Sequence, residues 1–425
     1  MLLEFRLRNF RVFREEAALS LIASSDKALM EENTLATGIA GAQRMVKAAA
    51  IYGPNAGGKT TLLRAMQLMR GVVLESAALK PEQTFNVQPF RLDAASKDEP
   101  TLFEITLLLD GVRHQYGFTF TPQRIMSEWL LVYQSTRPQT WINRTYDAAT
   151  DTEAFEFSSY LSGAKKVWQE ATRPNALFLS TAVQLNSESL QPLFKWFVSS
   201  LNVFLDGGHI PFDFSTSMVE AEKGRSAITS MLNAADIGIK GITVERKKGY
   251  MTQFTINPTT GETATTTAEQ EVVLPKFKHV AGEISADFDF PDESQGTQKL
   301  FALAGPILDI VEKGAVLVID ELDRSLHPLL VRQIVKAFQD PEVNTKGAQL
   351  VFTTHDTTLL DSTLLRRDQI WFAQKNSEQA STLTPLSDFS ARKNEAFERG
   401  YLSGRYGGVP VLDDLLVPAS VHASR

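Results

Sequence analysis

The sequence predicts an α/β fold, in which helices flank a core sheet and an antiparallel β subdomain is joined to it. The first observation is a short apolar run, residues 45–52, followed by a glycine-rich turn and then by apolar residues at helical spacing. The second is the regular alternation of helix-like and strand-like segments after Pro291. The third is the strand-like alternation of residues 101–121. Together these patterns predict a single elaborated domain over residues 1–425.

The glycine-rich turn has the full G-x-x-x-x-G-K-[ST] spacing of a phosphate-binding P-loop. Its glycines let successive backbone N–H groups point at one anion, and the N-terminus of the following helix faces the same anion. Lys59 supplies a positive charge for the β- and γ-phosphates, and Thr60 offers a hydroxyl to Mg²⁺. A chance match is the alternative, and the strand before the turn and the helix after it argue against that. The candidate nucleotide-binding residues of this segment are Gly53, Pro54, Asn55, Ala56, Gly57, Gly58, Lys59, Thr60 and Thr61.

The middle of the chain predicts a β-rich part followed by a mixed insertion. Within residues 101–121, Asp110-Gly111 predicts the turn of a β-hairpin. Residues 163–200 have helical spacing, whereas residues 201–290 are mixed. The threonine-rich stretch 257–267 predicts an exposed hairpin tip. Because no heptad pattern is sustained, we expect no coiled-coil arms.

The composition predicts a protein without disulfides and gives no support for a nucleic-acid-coating role. The chain has 43 basic and 50 acidic residues and a net charge of −7, whereas proteins that coat nucleic acid are usually basic. Cysteine is absent, which excludes a disulfide framework and a thiolate zinc site. No stretch approaches the about 18 apolar residues that a membrane span needs, and residues 1–13 lack a signal-peptide core. We therefore expect a soluble cytoplasmic protein without a membrane partner.

Two later apolar runs end in polar residues, as the buried strands of a parallel sheet do. Asp320 and Glu321 follow residues 316–319, and His355 stands near the end of the run that begins at Leu350. Ligands bind at the carboxyl ends of such strands. Asp320 can therefore hold Mg²⁺ through water, Glu321 can polarise an attacking water, and His355 can reach the γ-phosphate. The alternatives are an apolar run that precedes acids by chance and a purely structural histidine.

A second candidate anion site precedes the first of these runs. The hydroxyl of Ser294, the N–H of Gly296 and the start of a predicted helix lie together there, and all three are groups that bind anions. One nucleotide does not need two such sites, so this one is predicted to serve the nucleotide of another copy of the chain. The alternative is an ordinary helix start with Ser294 as its N-cap.

The order of these motifs (P-loop, Ser-x-Gly-x-Gln, Asp-Glu, strand-end histidine) resembles the ATPase domain of the ABC superfamily, in the branch shared by SMC-type and RecF-type proteins. More closely, the chain resembles the ABC-type AAA-family ATPases of bacterial abortive-infection and anti-phage operons. The resemblance spans nearly the whole chain and implies an ABC-ATPase head with a helical lid insertion. The strings that carry it, besides the P-loop, are residues 9–13, 293–297, 320–328, 367–372 and 401–407.

Heads of this family dimerise head to tail around two ATP molecules, so the resemblance implies ATP and Mg²⁺ as cofactors. It implies that Lys59 and Thr60 bind the phosphates and Mg²⁺ and that Asp320 is a second metal ligand. It also implies that Glu321 is the general base and His355 the switch histidine, with Lys59 as the third catalytic residue.

The same resemblance implies that Ser294 and Gly296 cap the γ-phosphate bound by the partner subunit. A Q-loop glutamine that contacts the nucleotide and Mg²⁺ is also expected, and Gln88 is the candidate. The chain departs from the family pattern at three places, and one of them is that Gln295 precedes Gly296 where a second glycine is usual. Glu293 stands where leucine usually precedes the signature serine, and residues 325–328 replace the usual D-loop sequence.

The predicted ATPase domain is assembled from three parts. Residues 1–135 form an N-terminal lobe with the P-loop and the β subdomain. Residues 136–290 form a mixed, partly helical insertion that acts as lid and partner surface. Residues 291–425 form a C-terminal lobe with the signature, the Asp-Glu pair and the switch histidine.

The resemblance implies an ATP-hydrolysing sensor or regulator of anti-phage defence, which forms a dimer or higher homo-oligomer and responds to a phage trigger. No second enzyme follows the switch histidine, so the effector, a nuclease, is expected to be a separate chain. The alternative is a RecF-like DNA-repair ATPase, with Arg246-Lys247-Lys248 and Arg366-Arg367 as its contacts to nucleic acid. An SMC-type protein is excluded by the missing heptads. A transporter ATPase is disfavoured by the strand-rich insertion, and a P-loop kinase by the signature helix and the switch histidine.

Overall fold

The computed structural model describes residues 1–39, 41–205, 210–235, 237–256, 263–389 and 396–410. Its strands are β1 Leu2–Arg8, β2 Ala17–Ser20, β3 Thr34–Ile39, β4 Ala42–Val46, β5 Ala48–Tyr52, β6 Thr101–Leu109, β7 Val112–Phe120, β8 Ile125–Tyr133, β9 Gln139–Asp147, β10 Thr152–Phe157, β11 Leu201–Phe204, β12 Ile239–Ile256, β13 Thr263–Ala281, β14 Ile284–Asp289, β15 Val316–Ile319, β16 Gln349–Thr353, β17 Ile370–Lys375 and β18 Ser381–Pro385. Its α-helices are α1 Met30–Asn33, α2 Lys59–Glu75, α3 Lys165–Ala171, α4 Phe178–Gln184, α5 Gln191–Ser199, α6 Asp213–Glu220, α7 Glu222–Ala234, α8 Gln295–Lys313, α9 Pro328–Gln339 and α10 Phe397–Leu402.

The core sheet has six strands in the order β11-β15-β16-β5-β17-β18. The first five strands are parallel to their neighbours, and β18 pairs antiparallel with β17. Every residue of β5, β15 and β16 is buried, as expected for strands covered on both faces. The carboxyl ends of these three strands lie along one edge of the sheet, and this edge carries the P-loop.

A seven-stranded antiparallel sheet, in the order β10-β9-β8-β7-β6-β1-β2, forms the β subdomain. The predicted hairpin between β6 and β7 is confirmed. Asp110 and Gly111 both adopt positive φ at its turn, as a two-residue hairpin loop requires. The predicted α/β fold class, with a P-loop core sheet and an antiparallel β subdomain, is likewise confirmed.

Helix α2 confirms the helical spacing predicted after the P-loop. Leu62, Met66, Met69 and Val73 all lie on its buried face and belong to the main hydrophobic core of the chain. The strand before the P-loop is shorter than the predicted run of residues 45–52. The structure ends β4 at Val46 and begins β5 at Ala48, because β4 pairs with β3 whereas β5 pairs with β16 and β17.

The chain divides into two compact units. The first unit comprises Met1–Gly207, Lys313–Leu322 and Arg332–Arg425, and the second comprises Gly208–Glu312 and Asp323–Val331. The first unit extends beyond residue 135 because β9 and β10 continue the antiparallel pairing of β6 to β8.

The second unit contains a long two-stranded ribbon, β12 and β13, to which β14 adds a short third strand. Of the predicted threonine-rich tip, residues 257–262 lie outside the described residues and residues 263–267 belong to β13.

Among the described residues, no α-helix is longer than the 19 residues of α8, so this part of the chain contains no coiled-coil arm. Nor does any helix of the described ranges combine the length and apolar character needed to cross a bilayer.

Candidate nucleotide-binding site

The P-loop glycines are required by the close approach of β17. A Cβ atom on Gly53 would lie 2.1 Å from the carbonyl oxygen of Ala373, and a Cβ on Gly57 would lie 2.7 Å from the same oxygen. Gly53 and Gly58 also have φ values of 152° and 112°, which residues with a side chain rarely adopt. The backbone therefore bends over the end of the sheet and begins α2 at Lys59.

The P-loop, the Asp-Glu pair and the strand-end histidine lie around one cavity of about 360 Å³. This cavity brings together most of the residues that the sequence predicted for nucleotide binding and hydrolysis. Its lining consists of Val12, Pro54, Asn55, Ala56, Gly57, Gly58, Lys59, Thr60, Thr61, Asp320, Glu321 and His355. Gly53 lies beneath the loop, where the carbonyl oxygen of Ala373 approaches it.

Lys59 is buried, and its ammonium group points back at its own loop. The Nζ atom donates to the carbonyl oxygens of Gly53 at 2.7 Å and Pro54 at 3.3 Å. These bonds hold a positive charge under the loop, close to the start of α2. An anion in the cavity is attracted by this charge, by the loop N–H groups and by the positive end of the helix.

The oxygen atoms beside Lys59 fit Mg²⁺. The hydroxyl of Thr60 donates to Oδ2 of Asp320 at 2.9 Å, so a hydroxyl and a carboxylate oxygen lie side by side at the cavity. Mg²⁺ prefers such hard oxygen ligands, and it commonly uses one or two protein groups together with phosphate oxygens and waters. Thr60 and Asp320 are therefore the residues that would hold the ion.

Thr353, which the sequence analysis did not identify, connects the Asp-Glu pair to β16. Its hydroxyl donates to Oδ1 of Asp320 at 2.6 Å and accepts from the N–H of Glu321 at 2.7 Å. The signal that could have found it is a polar residue at the end of a buried strand next to β15. Glu321 itself is half-buried with a φ of 50°, and His355 is exposed at the cavity.

Gln88 does not line this cavity. It lines an adjacent hollow of about 300 Å³, which shares Val12 and Thr61 with the first. The carbonyl oxygen of Gln88 accepts from the N–H of Arg11 at 2.8 Å, so this segment is tied to the turn that follows β1. The hollow is positively charged. Burial, together with the neighbouring cations Arg64 and Arg91, lowers the pKa of Arg11 from its usual value.

The predicted signature residues, Ser294 and Gly296, belong to the second unit. The Oγ atom of Ser294 accepts from the N–H of Thr297 at 3.1 Å, so Ser294 caps α8, as its alternative interpretation predicted. A Cβ on Gly296 would lie 2.9 Å from the carbonyl oxygen of Ser325, which explains the glycine. Lys299 donates to the carbonyl oxygen of Arg324 at 2.6 Å. Residues 324–325 therefore lie against the start of the signature helix.

Four of the five basic residues predicted to contact nucleic acid, Arg246, Lys247, Arg366 and Arg367, are engaged in ion pairs. Arg366 is buried and donates twice to Asp368, at 2.9 and 2.6 Å, so the prediction that it contacts nucleic acid is wrong. Arg367 donates to Asp26 at 2.8 Å. Arg246 is exposed but pairs with Glu220 and Glu271. Each of these three arginines therefore has an acidic partner within the chain.

Comparisons with known proteins place the chain in a family. No curated protein matches it. Among 63 matching chains of solved structures is the "Crystal structure of the SmcHead bound to the C-winged helix domain of ScpA", with a TM-score of 0.41 and 12% identity, covering 90% of this chain and 97% of that one. Residues 48–361, which include the P-loop, the Asp-Glu pair and His355, match a single family model. The chain therefore belongs to the family described as "AAA domain, putative AbiEii toxin, Type IV TA system".

Proposed function

We propose that this chain is the ATP-binding and ATP-hydrolysing sensor or regulator of an anti-phage defence system, and that it dimerises around ATP and controls a separate effector. The observation that carries the ATPase part is the direct hydrogen bond between Thr60 at the start of α2 and Asp320 at the end of β15. This bond joins a phosphate-binding loop to an acidic strand end at one cavity. The family match is consistent with the same chemistry.

In this proposal each residue at the cavity has one task. Lys59 and the loop N–H groups bind the β- and γ-phosphates, and they stabilise negative charge that moves during phosphoryl transfer. Glu321 orients the attacking water and accepts its proton, and His355 contacts the γ-phosphate. Mg²⁺, held by Thr60 and Asp320, would supply charge neutralisation for the phosphates. This role of Glu321 is supported by the hydrogen bond that holds its backbone N–H to Thr353, which also donates to Asp320.

The second step of the proposal is that Ser294 and Gly296 complete the site of another copy. Ser294 is exposed at the N-terminus of a 19-residue helix, where the helix dipole favours an anion. A ligand shared by two subunits stabilises their association by mass action. ATP binding would thereby promote dimerisation, and ATP hydrolysis would let the dimer dissociate.

A mixing experiment tests this shared site. Lys59→Ala disables the cradle of its own subunit, and Ser294→Arg disables the cap that it offers to its partner. Each variant alone should lose ATP hydrolysis, whereas a mixed dimer contains one intact site. An equal mixture should recover about a quarter of wild-type sites, because half of its dimers are mixed and each has one working site of two. An equal mixture that forms mixed dimers without recovering activity would contradict head-to-tail sharing.

The defence role is supported by the description of the matched family, which names an AbiEii toxin and a type IV toxin–antitoxin system. A toxin–antitoxin system has at least two components, which is compatible with an effector, here proposed to be a nuclease, encoded as a separate chain. The test is a phage challenge of cells that carry this gene with its natural neighbours. Protection should be lost with Lys59→Ala. Equal protection by the wild-type protein and by Lys59→Ala would contradict a role of ATP in defence.

A further inference from the structure

Thr353 makes three hydrogen bonds to three consecutive residues that follow β15. Its hydroxyl donates to Oδ1 of Asp320 at 2.6 Å and accepts from the N–H of Glu321 at 2.7 Å. Its carbonyl oxygen accepts from the N–H of Leu322 at 3.1 Å. The side chain of Thr353 is fully buried, and Thr353 and residues 320–322 all belong to the first unit. A single residue of the neighbouring strand therefore holds the whole Asp-Glu turn.

The bond to Asp320 decides which carboxylate oxygen faces Thr60. Oδ1 accepts from Thr353, and Oδ2 accepts from the hydroxyl of Thr60 at 2.9 Å. The carboxylate plane is therefore held from both sides. Removing the hydrogen bond at Oδ1 would let the carboxylate of Asp320 rotate away from Thr60. A metal ligand whose orientation is not fixed binds the metal more weakly.

The hydrogen bonds that Thr353 makes with the backbone N–H groups of Glu321 and Leu322 fix the direction in which the side chain of Glu321 extends. Glu321 has a φ of 50°, a left-handed conformation that residues other than glycine adopt only when the surroundings hold them there. Thr353 supplies two such restraints, one to the N–H of Glu321 and one to the N–H of Leu322. The hydroxyl of Thr353 therefore restrains both Asp320, the proposed metal ligand, and the neighbouring Glu321.

We propose that Thr353 is a positioning residue, which fixes Asp320 for Mg²⁺ and Glu321 for the attacking water through its hydroxyl. This inference rests on the proposed ATPase function of the same cavity. It depends on the hydroxyl and not on the size of the side chain. Valine has nearly the same shape without donor or acceptor, whereas serine keeps both.

The next residue offers a matched control. Thr354 is equally buried, but its hydroxyl accepts from the N–H of Asp356 at 3.0 Å and makes no described bond to Asp320. Thr354→Val therefore removes a buried hydroxyl from the same strand end without touching the Asp-Glu turn. A loss shared by both valine variants would overturn the proposal, because it would show that the hydroxyl of Thr353 has no specific role.

The experiment is a Mg²⁺ titration of the full chain, followed by the binding of a fluorescent ATP analogue and by ATP hydrolysis. Thr353→Val should raise the Mg²⁺ concentration at half-saturation by about 10- to 100-fold and lower kcat, as loss of a residue that orients a metal ligand does. Binding of the analogue without metal should stay unchanged. Thr353→Ser and Thr354→Val should keep the wild-type Mg²⁺ dependence.

The proposal is overturned if Thr353→Val keeps the wild-type Mg²⁺ dependence, or if Thr353→Ser loses as much as the valine variant. Should Thr353→Val fail to fold, Thr353→Cys keeps the volume with a weaker donor and should shift the Mg²⁺ dependence in the same direction; a wild-type titration for this variant also overturns the proposal. If the wild-type chain binds ATP without hydrolysing it, the proposed function fails. The Mg²⁺ titration of binding then still decides the role of Thr353.

Discussion

One backbone atom, the carbonyl oxygen of Ala373, explains two P-loop glycines and predicts what alanine would do at each. A methyl carbon on Gly53 would lie 2.1 Å from this oxygen, and one on Gly57 would lie 2.7 Å from it. Carbon and oxygen atoms in ordinary contact are separated by about 3.3 Å. Gly53→Ala therefore requires a shift of about 1.2 Å and Gly57→Ala one of about 0.6 Å. The oxygen belongs to β17, whose neighbours in the sheet prevent it from moving.

The two substitutions should lower the free energy of unfolding by different amounts, because Gly53 has a positive φ and Gly57 does not. For Gly57→Ala we expect overpacking alone, a loss of about 1–3 kcal/mol in the free energy of unfolding. Gly53→Ala adds the strain of a side chain at positive φ, about 1–3 kcal/mol more. A loop displaced by about 1 Å also loses about 100-fold in catalytic efficiency, because the phosphates no longer meet the N–H groups and Lys59 in the right geometry.

Gly71→Ala, in the same helix α2, is the matched control. A Cβ at Gly71 would meet no atom within 4 Å, and alanine stabilises a helix by about 0.5–1 kcal/mol relative to glycine. Chemical denaturation and kcat/KM for ATP should rank the variants as Gly53→Ala below Gly57→Ala, and both well below Gly71→Ala. Wild-type ATP hydrolysis by Gly53→Ala would refute the placement of β17 against the P-loop.

Two further substitutions test the base and the buried ion pair. Glu321→Gln should keep ATP binding, lose about 10²- to 10⁴-fold in kcat and accumulate the ATP-bound dimer in size-exclusion chromatography, and wild-type turnover would contradict the assignment of the base. Arg366→Met leaves the carboxylate of Asp368 buried without its partner and should lower the free energy of unfolding by about 3–5 kcal/mol without changing KM for ATP. Its control, Arg332→Met, breaks the more exposed pair with Asp361 and should cost less than about 1 kcal/mol; equal losses would contradict the burial argument.

The features that could be predicted from the sequence are those with a local cause. The P-loop pattern, the Asp-Gly hairpin and the apolar strands ending in Asp320 each depend on neighbouring residues. The rule that parallel strands end at one edge then places Asp320 near Thr60, and the 2.9 Å bond between them agrees with it. The family resemblance adds residue roles that no local pattern states.

The features that the sequence could not supply depend on pairs far apart in the chain. Nothing near Gly53 indicates that Ala373 lies above it, and nothing near Arg366 indicates that it is buried against the backbone of residues 24–28. Arg366-Arg367 therefore resembled an exposed basic pair. Gln88 was chosen by its position between two motifs, and its actual neighbours follow from a backbone bond to Arg11.

Ser294 is the position where two sequence interpretations, N-cap and anion ligand, can hold together. A serine hydroxyl has one hydrogen to donate and two lone pairs to accept with. Capping uses a lone pair, since the Oγ atom accepts from the N–H of Thr297. The hydroxyl of Thr297 lies 2.9 Å away and can act as donor or acceptor toward Ser294. If the hydrogen of Ser294 turns from Thr297 toward a phosphate of another subunit, the cap remains and the phosphate gains a donor. Capping therefore does not argue against the shared site, and it holds the hydroxyl at the N-terminus of α8, where an anion is favoured.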